Sequence, residues 1–173
     1  MDQAETPENK ATPEPAAKPA APAAAKKAVP KKKEAPPKEA LVDNGDGTIS
    51  DPNSGLMWKK ADSWNDTRVF YTWMDHQKYV DKVNKDKFAG CSDWRIPDKK
   101  EAATLIDKGK KVLDKNGVFY PLDPIFDDGG VSNTWIVECS EEQIIRFDFK
   151  TGVDTPYPTT DVWAAMRLVR KPE

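Results

Sequence analysis

The chain predicts an α+β fold, and three observations carry that expectation. A turn-rich β-hairpin opens the folded part, two amphipathic helical patterns follow it, and strand-type alternation returns only after a long loop. Helices and strands are therefore segregated along the chain rather than alternating as in a doubly wound or barrel fold.

The elements follow in order. Asp43-Asn44-Gly45-Asp46-Gly47 is turn chemistry, rich in residues that tolerate positive φ. It leads into Thr48-Ile49-Ser50, and Asp51-Pro52-Asn53-Ser54-Gly55 turns the chain back through Leu56-Met57-Trp58. Residues 67–86 are expected as one helix, because Phe70, Trp73, Val80 and Val83 recur at helical spacing, with Asn65 or Asp66 as the N-cap. Residues 90–97 read as a short strand or turn. Asp98 and Glu101 have the spacing of a capping box. They open a second helix with Ala102, Leu105 and Ile106 as its apolar stripe and Gly109 as its stop. Residues 114–133 read as loop. Three strands then close the chain: 134–139, 143–149 with Ile145, Phe147 and Phe149 on one face, and 161–170 with Val162, Ala164, Met166 and Leu168 on one face.

Composition divides the 173 residues in two. Residues 1–40 hold 12 Ala, 8 Pro and 8 Lys, with no aromatic residue, no Ile and no Leu. Such a segment buries too little apolar surface to offset its ordering entropy, so a disordered Pro/Ala/Lys linker is expected. At about 3.1 Å per residue it reaches on the order of 120 Å when extended. Residues 41–173 hold all 6 Trp, 4 Tyr and 6 Phe, and carry a net charge of −4. Aromatic side chains that bury about 150–250 Å² each give that domain a core without a metal or disulfide.

The whole-chain charge of −2 excludes a strongly basic nucleic-acid binder. Two cysteines exclude a disulfide-dense scaffold, and a lone histidine, His76, excludes a multi-histidine metal site. No apolar run approaches the roughly 20 residues of a membrane span. Met1-Asp2-Gln3 opens no cleavable signal peptide. The linker is similar to those that hold bacterial domains away from an envelope membrane, so an extracytoplasmic site with its targeting segment already removed is expected.

Several blocks together resemble the Lcl C-terminal domain family. They are Asp43-Asn44-Gly45-Asp46-Gly47-Thr48 with Asp51, Ser54-Gly55-Leu56-Met57-Trp58, the helix around Trp73, Ser92-Asp93-Trp94-Arg95-Ile96-Pro97, helix-opening Glu101, the Trp135 region and Met166-Arg167-Leu168-Val169-Arg170. The resemblance covers essentially all of 41–173. It implies a C-type-lectin-like fold, with two helices packed on a twisted antiparallel sheet, in an exported, surface or periplasmic bacterial protein. Some members bind polysaccharide such as sulfated glycosaminoglycan. It also implies that Trp58, Trp73, Trp94, Arg95, Pro97, Trp135 and Arg167 are structural motif residues. The cysteines that the family often carries in its first helix and last strand align here with Val80 and Leu168, so core packing stands in for a disulfide. Cys91 and Cys139 either form a different bridge across a loop of 48 residues or remain two separate thiols. A bridge contributes roughly 4 kcal/mol in the entropy model.

Each candidate for chemistry has a plainer reading. Asp43, Asp46 and the Thr48 carbonyl form half of a calcium loop but lack its register and terminal Glu, so they read as a turn. Trp64-Asn65-Asp66 spells a calcium-lectin string in the wrong place and reads as helix capping. His76 reads as a packed ring, and Cys91 with His76 lacks the partners of a thiol nucleophile. Arg95 reads as structural, satisfying carbonyls or pairing with Asp93. Loop 119–133 is the expected contact surface, through Phe119, Tyr120, Phe126, Asp127 and Asp128, since exposed aromatics anchor partners or stack on sugars.

The expected function is that of a non-enzymatic, extracytoplasmic binding or adapter domain, an accessory subunit docking on an envelope or surface protein assembly. A carbohydrate-binding adhesin-type module is the alternative. No cofactor, metal or nucleic acid is expected, and membrane contact is expected only through a partner or a removed anchor. An aromatic strip flanked by polar groups in a groove favours sugar. A flat apolar patch near loop 119–133 favours a protein.

Overall fold

The computed structural model describes residues 38–140, 142–157 and 162–172. The chain divides into residues 1–36 and 37–173, and only the second unit falls within that range. Residues 1–37 of the expected linker lie outside the described residues.

The second unit is α+β. β1 (Val42–Asp43), β2 (Thr48–Asp51) and β3 (Leu56–Lys59) form an antiparallel meander. Asp51 builds its turn: one carboxylate oxygen accepts from the Asn53 amide N–H at 2.9 Å, the other from the Ser54 hydroxyl at 2.5 Å. Burial raises the Asp51 pKa, but the Ser54 and Asn53 donors outweigh it and hold the carboxyl below its ordinary value. Asn53 also clamps the incoming chain, accepting from the Glu39 N–H and donating to the Glu39 carbonyl, both at 2.9 Å.

The single helix expected over 67–86 is two helices. α1 (Ser63–Thr67) is capped by Asp62, whose carboxylate accepts from the Asn65 N–H, so Asn65 and Asp66 lie inside the helix rather than at its cap. Arg68 ends α1 in the left-handed region, at φ 58°. Tyr71 then pairs with Ala164 in both directions, at 3.0 and 3.1 Å. That long-range pairing overrides the helical spacing of Phe70 and Trp73. A 3-10 turn at Trp73–Asp75 leads into α2 (His76–Lys85), which buries Tyr79, Val80 and Val83.

α3 (Lys99–Thr104) carries the expected capping box. It closes at Leu105, before Gly109. Arg95 forks onto Glu101, at 2.7 and 2.6 Å, and that carboxylate also accepts from the Asp98 N–H at 2.8 Å. Arg95 therefore braces the helix start and also donates to the Ile96 carbonyl at 3.2 Å, as one of its two expected roles required, whereas Asp93, the other expected partner, pairs with Arg170.

The long loop holds a small ribbon, β4 (Val112–Leu113) with β5 (Phe119–Tyr120). β6 (Asn133–Trp135), β7 (Ile144–Asp148) and β8 (Val153–Tyr157) form a three-stranded antiparallel sheet. β8 went unseen in the sequence because Pro156 lies within it. Proline is tolerated in an edge strand, where no ladder N–H is required. β7 separates two buried clusters: Phe147 and Phe149 join Trp58, Leu105 and Phe126, whereas Ile144 joins Val80, Trp94 and Trp135. Ile145, Phe147 and Phe149 share one face as expected, and the opposite face is covered as well, at Ile144.

The last segment differs most from expectation. Only β9 (Val169–Arg170) is regular strand, paired with β3, and Ala164 and Ala165 make isolated bridges. Residues 164–169 are buried on every side, Arg167 included, at 1 % exposure. Ser63 holds this segment by donating its N–H to the Met166 carbonyl at 2.9 Å and accepting the Met166 N–H at 2.8 Å. Arg167 donates to the Lys60 carbonyl at 3.2 Å, stacks over Phe126 and lies 3.8 Å from Asp62. The other Asp62 oxygen caps α1, and the one nearest Arg167 also accepts from the Val131 N–H at 2.6 Å. Gly130 permits that approach: a Cβ there would sit 2.7 Å from the Asp62 carboxylate.

Cys91 and Cys139 are free thiols, so the bridged alternative does not form. Val80 and Leu168 do pack in one buried cluster. Removing one member of a buried ion pair leaves the other uncompensated, which typically costs about 3–5 kcal/mol. Arg167→Met should therefore lower the unfolding free energy by about that much in urea titration, and adding Asp62→Asn should recover part of it. A loss below about 1 kcal/mol would contradict this role for the pair.

Candidate functional site

The five loop residues expected to form the contact surface are not exposed together. Tyr120 and Phe126 are core residues, each 2 % exposed, and burial pushes the Tyr120 phenol upward. The compact loop folds them inward, because Tyr120 pairs with Val112 in the ribbon and Phe126 lies beneath Arg167. Asp128 serves the loop itself, accepting from the Leu113 N–H at 3.1 Å, and Asp127 is half-buried. Of the five residues, Phe119 alone presents an exposed aromatic ring.

The motif residues are structural. Trp58, Trp94 and Trp135 are buried. Asn84 accepts from the Trp94 N–H and donates to its carbonyl, each at 2.8 Å. Trp135 donates its indole N–H to the Tyr71 carbonyl, Pro97 accepts from the Val137 N–H, and Trp73 stacks on His76. His76 Nδ1 donates to the Trp73 carbonyl. Asp46 accepts from the Thr48 N–H and hydroxyl inside the turn, whereas Asp43 accepts from the Gly45 N–H and pairs with Lys60 on the strand side at 2.6 Å. Cys139 donates its thiol to the Ile145 carbonyl, and burial raises its pKa, which keeps it protonated and a poor nucleophile.

Sequence patterning missed an ion pair made by a buried lysine. Lys59 lies 2.7 Å from Asp66 and under the Phe88 ring, and Tyr79 donates to the same carboxylate at 2.5 Å. Burial foremost, and then Asp66, raises the Tyr79 phenol far above its ordinary range. This cluster ties α1 to α2 and β3.

The chemistry gathers elsewhere. A cleft of about 240 Å³ lies beside β6 and β7, lined by Phe70, Lys115, Asn133, Arg146, Lys150 and Trp163 among others. Trp163 is 53 % exposed, although both chain neighbours are buried. Lys115 lies 5.2 Å from the Trp64 ring and 5.4 Å from Phe70. Arg146 stacks on Tyr157, donates to its hydroxyl at 2.6 Å and donates to the Trp163 carbonyl at 3.3 Å. The cleft thus offers one aromatic face, amide and hydroxyl groups, and cations held in place by rings. That chemistry stacks a planar or sugar ring and pairs an anion. One signal for it was present: the alternation that turns Val162, Ala164, Met166 and Leu168 inward leaves Trp163 on the opposite face.

Asp114 anchors the cleft floor. It accepts from Lys150 at 2.7 Å and from the N–H groups of Asn116 and Val118. Burial raises its pKa, but Lys150 and those backbone donors outweigh it and hold the carboxyl below its ordinary value. A depressed native pKa stabilises the fold above the unfolded value of about 3.9, and the contribution disappears as pH falls through the native value. Stability to urea should therefore fall below about pH 4, with a shallower decline in Asp114→Asn than in the parent. Equal slopes would show that Asp114 carries none of the acid sensitivity.

No curated protein and no solved structure matches the chain. The family model for the Lcl C-terminal domain matches residues 47–170, a span that includes the hairpin, the capping-box helix, the cleft and the buried last segment. The chain belongs to the Lcl C-terminal domain family.

Proposed function

We propose that the folded unit is a non-enzymatic binding domain of C-type-lectin-like arrangement. In this reading it acts outside the cytoplasm as an accessory subunit docked on an envelope or surface protein assembly. Its contact face is the cleft beside Trp163, not loop 119–133. The observation that carries this is the exposure of Trp163 at the edge of a rigid, fully buried segment. Exposed Trp, with Arg and Tyr beside it, is the composition of binding hot spots. The presence of the first and last strands in one sheet, β1-β2-β3-β9, supports the lectin-like arrangement. The family resemblance supports the extracytoplasmic place. No helix among the described residues is long and apolar enough to cross a membrane.

A second reading rests on the same cleft. Trp163 and Phe70 are flanked by Asn116, Ser132 and Asn133, and an aromatic face among hydroxyl and amide groups suits a polysaccharide.

Affinity capture from envelope extract with the full chain separates the two. The adapter reading expects a stoichiometric protein, with Trp163→Ala weakening its binding by about 2 kcal/mol or more, roughly thirtyfold. Retention of the glycan fraction alone, with the same loss in Trp163→Ala, would establish the polysaccharide reading. Binding that Trp163→Ala leaves unchanged would remove the cleft from both.

A further inference from the structure

A second surface, separate from the Trp163 cleft, stands out by its charge. The β4–β5 ribbon turns Val112 and Tyr120 into the core and leaves Val118 49 % and Phe119 60 % exposed. Beside them is a hollow of about 110 Å³ lined by Lys108, Lys110, Lys111, Phe119, Tyr120 and Pro121. Three lysines and no carboxylate form that lining. Lys110 is neutralised by Asp123. Lys108 and Lys111 are exposed. The ribbon is also firmly built: Asp114 accepts from the N–H groups of Asn116 and Val118 across its turn, and Asp107 donates its N–H to the Pro121 carbonyl.

We propose that this ribbon docks the domain on the surface of an anionic phospholipid bilayer, with Phe119 and Val118 at the headgroup boundary and Lys108 and Lys111 against lipid phosphates. Two arguments select a lipid surface. The exposed apolar surface is confined to two side chains at a turn, against the roughly 20–30 residues a side of a standard protein interface. Aromatic insertion with flanking lysines needs no such area, because each lysine adds attraction to an anionic surface. The second argument is orientation. Residues 41–173 carry a net −4, yet the approach to the ribbon, 108–111, holds three lysines, of which Asp123 neutralises Lys110, leaving Lys108 and Lys111 exposed beside Asp107. An anionic surface repels most of the domain and attracts this part, so the ribbon arrives first. The sequence left membrane contact to a partner or a removed anchor, and the ribbon supplies a direct one.

The test is co-sedimentation of the full chain with vesicles of phosphatidylcholine alone or with about 30 % phosphatidylglycerol. Binding is expected only to the anionic vesicles and should fall strongly at about 0.5 M salt, where screening shortens to a few ångströms. Phe119→Ser and the double variant Lys108→Glu/Lys111→Glu should each reduce partitioning by roughly tenfold, while Trp163→Ala leaves it unchanged. Circular dichroism verifies that each variant is folded. No binding of the parent chain to anionic vesicles would overturn the proposal. Full binding by both ribbon variants would also overturn it, placing lipid contact elsewhere, for example at Lys31-Lys32-Lys33. Variants that keep vesicle binding but lose a captured protein would assign the ribbon to that protein instead.

Discussion

The pairing of Asp62 with Arg167 is the constraint on which the rest of the unit depends. Two charges are taken almost wholly out of water, with side chains 2 % and 1 % exposed, and 3.8 Å separates the nearest atoms. Taking charges out of water at that separation is expensive, and Coulomb attraction alone repays it poorly. Neighbouring groups offset part of the difference. Asp62 accepts from two backbone N–H groups, and Arg167 donates to the Lys60 carbonyl while its guanidinium lies 4.6 Å from the Phe126 ring centroid. Among the described residues, Arg167 Nε and Nη2 find no hydrogen-bond acceptor, so the site is under-satisfied as well as buried. What the pair supplies is placement. It joins the start of α1, the loop at Gly130–Val131 and the last segment at one point.

That placement sets the cleft. Residues 164–169 are locked by Ser63, Thr134, Tyr71 and Arg95, so the residue that precedes them is aimed by the core while its ring stays in solvent. Arg146 reaches the Trp163 carbonyl from β7, which itself divides the two buried clusters. An aromatic contact held on such a frame loses little side-chain freedom on binding, and that favours affinity. The lipid-facing ribbon follows the same logic on a smaller scale, with Tyr120 and Val112 as its buried roots.

Much of the fold was legible, because local chemistry decided it. The Asp51–Gly55 turn and the Asp98–Glu101 capping box formed where their residues demanded, each satisfying backbone N–H groups within a few positions. Failures occurred where distant pairing won. Nothing in Phe70-Tyr71-Thr72 announces that Tyr71 will leave the helical path to pair with Ala164. Nor does alternation distinguish a half-buried strand from a segment covered on both sides, as at 164–169. The site was less legible than the fold. Loop aromatics look alike in sequence whether they face water or fill a core, and here Phe119 is exposed while its neighbour Tyr120 is not. The cations of the cleft come from residues 115, 146 and 150, which no spacing rule unites.

Native-state hydrogen exchange of the full chain tests the central claim most directly. If the buried pair joins the three pieces, amides of residues 62–66, 130–132 and 164–169 should exchange together and only through global unfolding, and Asp62→Asn should accelerate all three by a similar factor. If residues 164–169 instead exchange far faster than β2 and β3 in the parent chain, that segment opens by itself. Trp163 would then stand on no fixed frame, and the account would be contradicted.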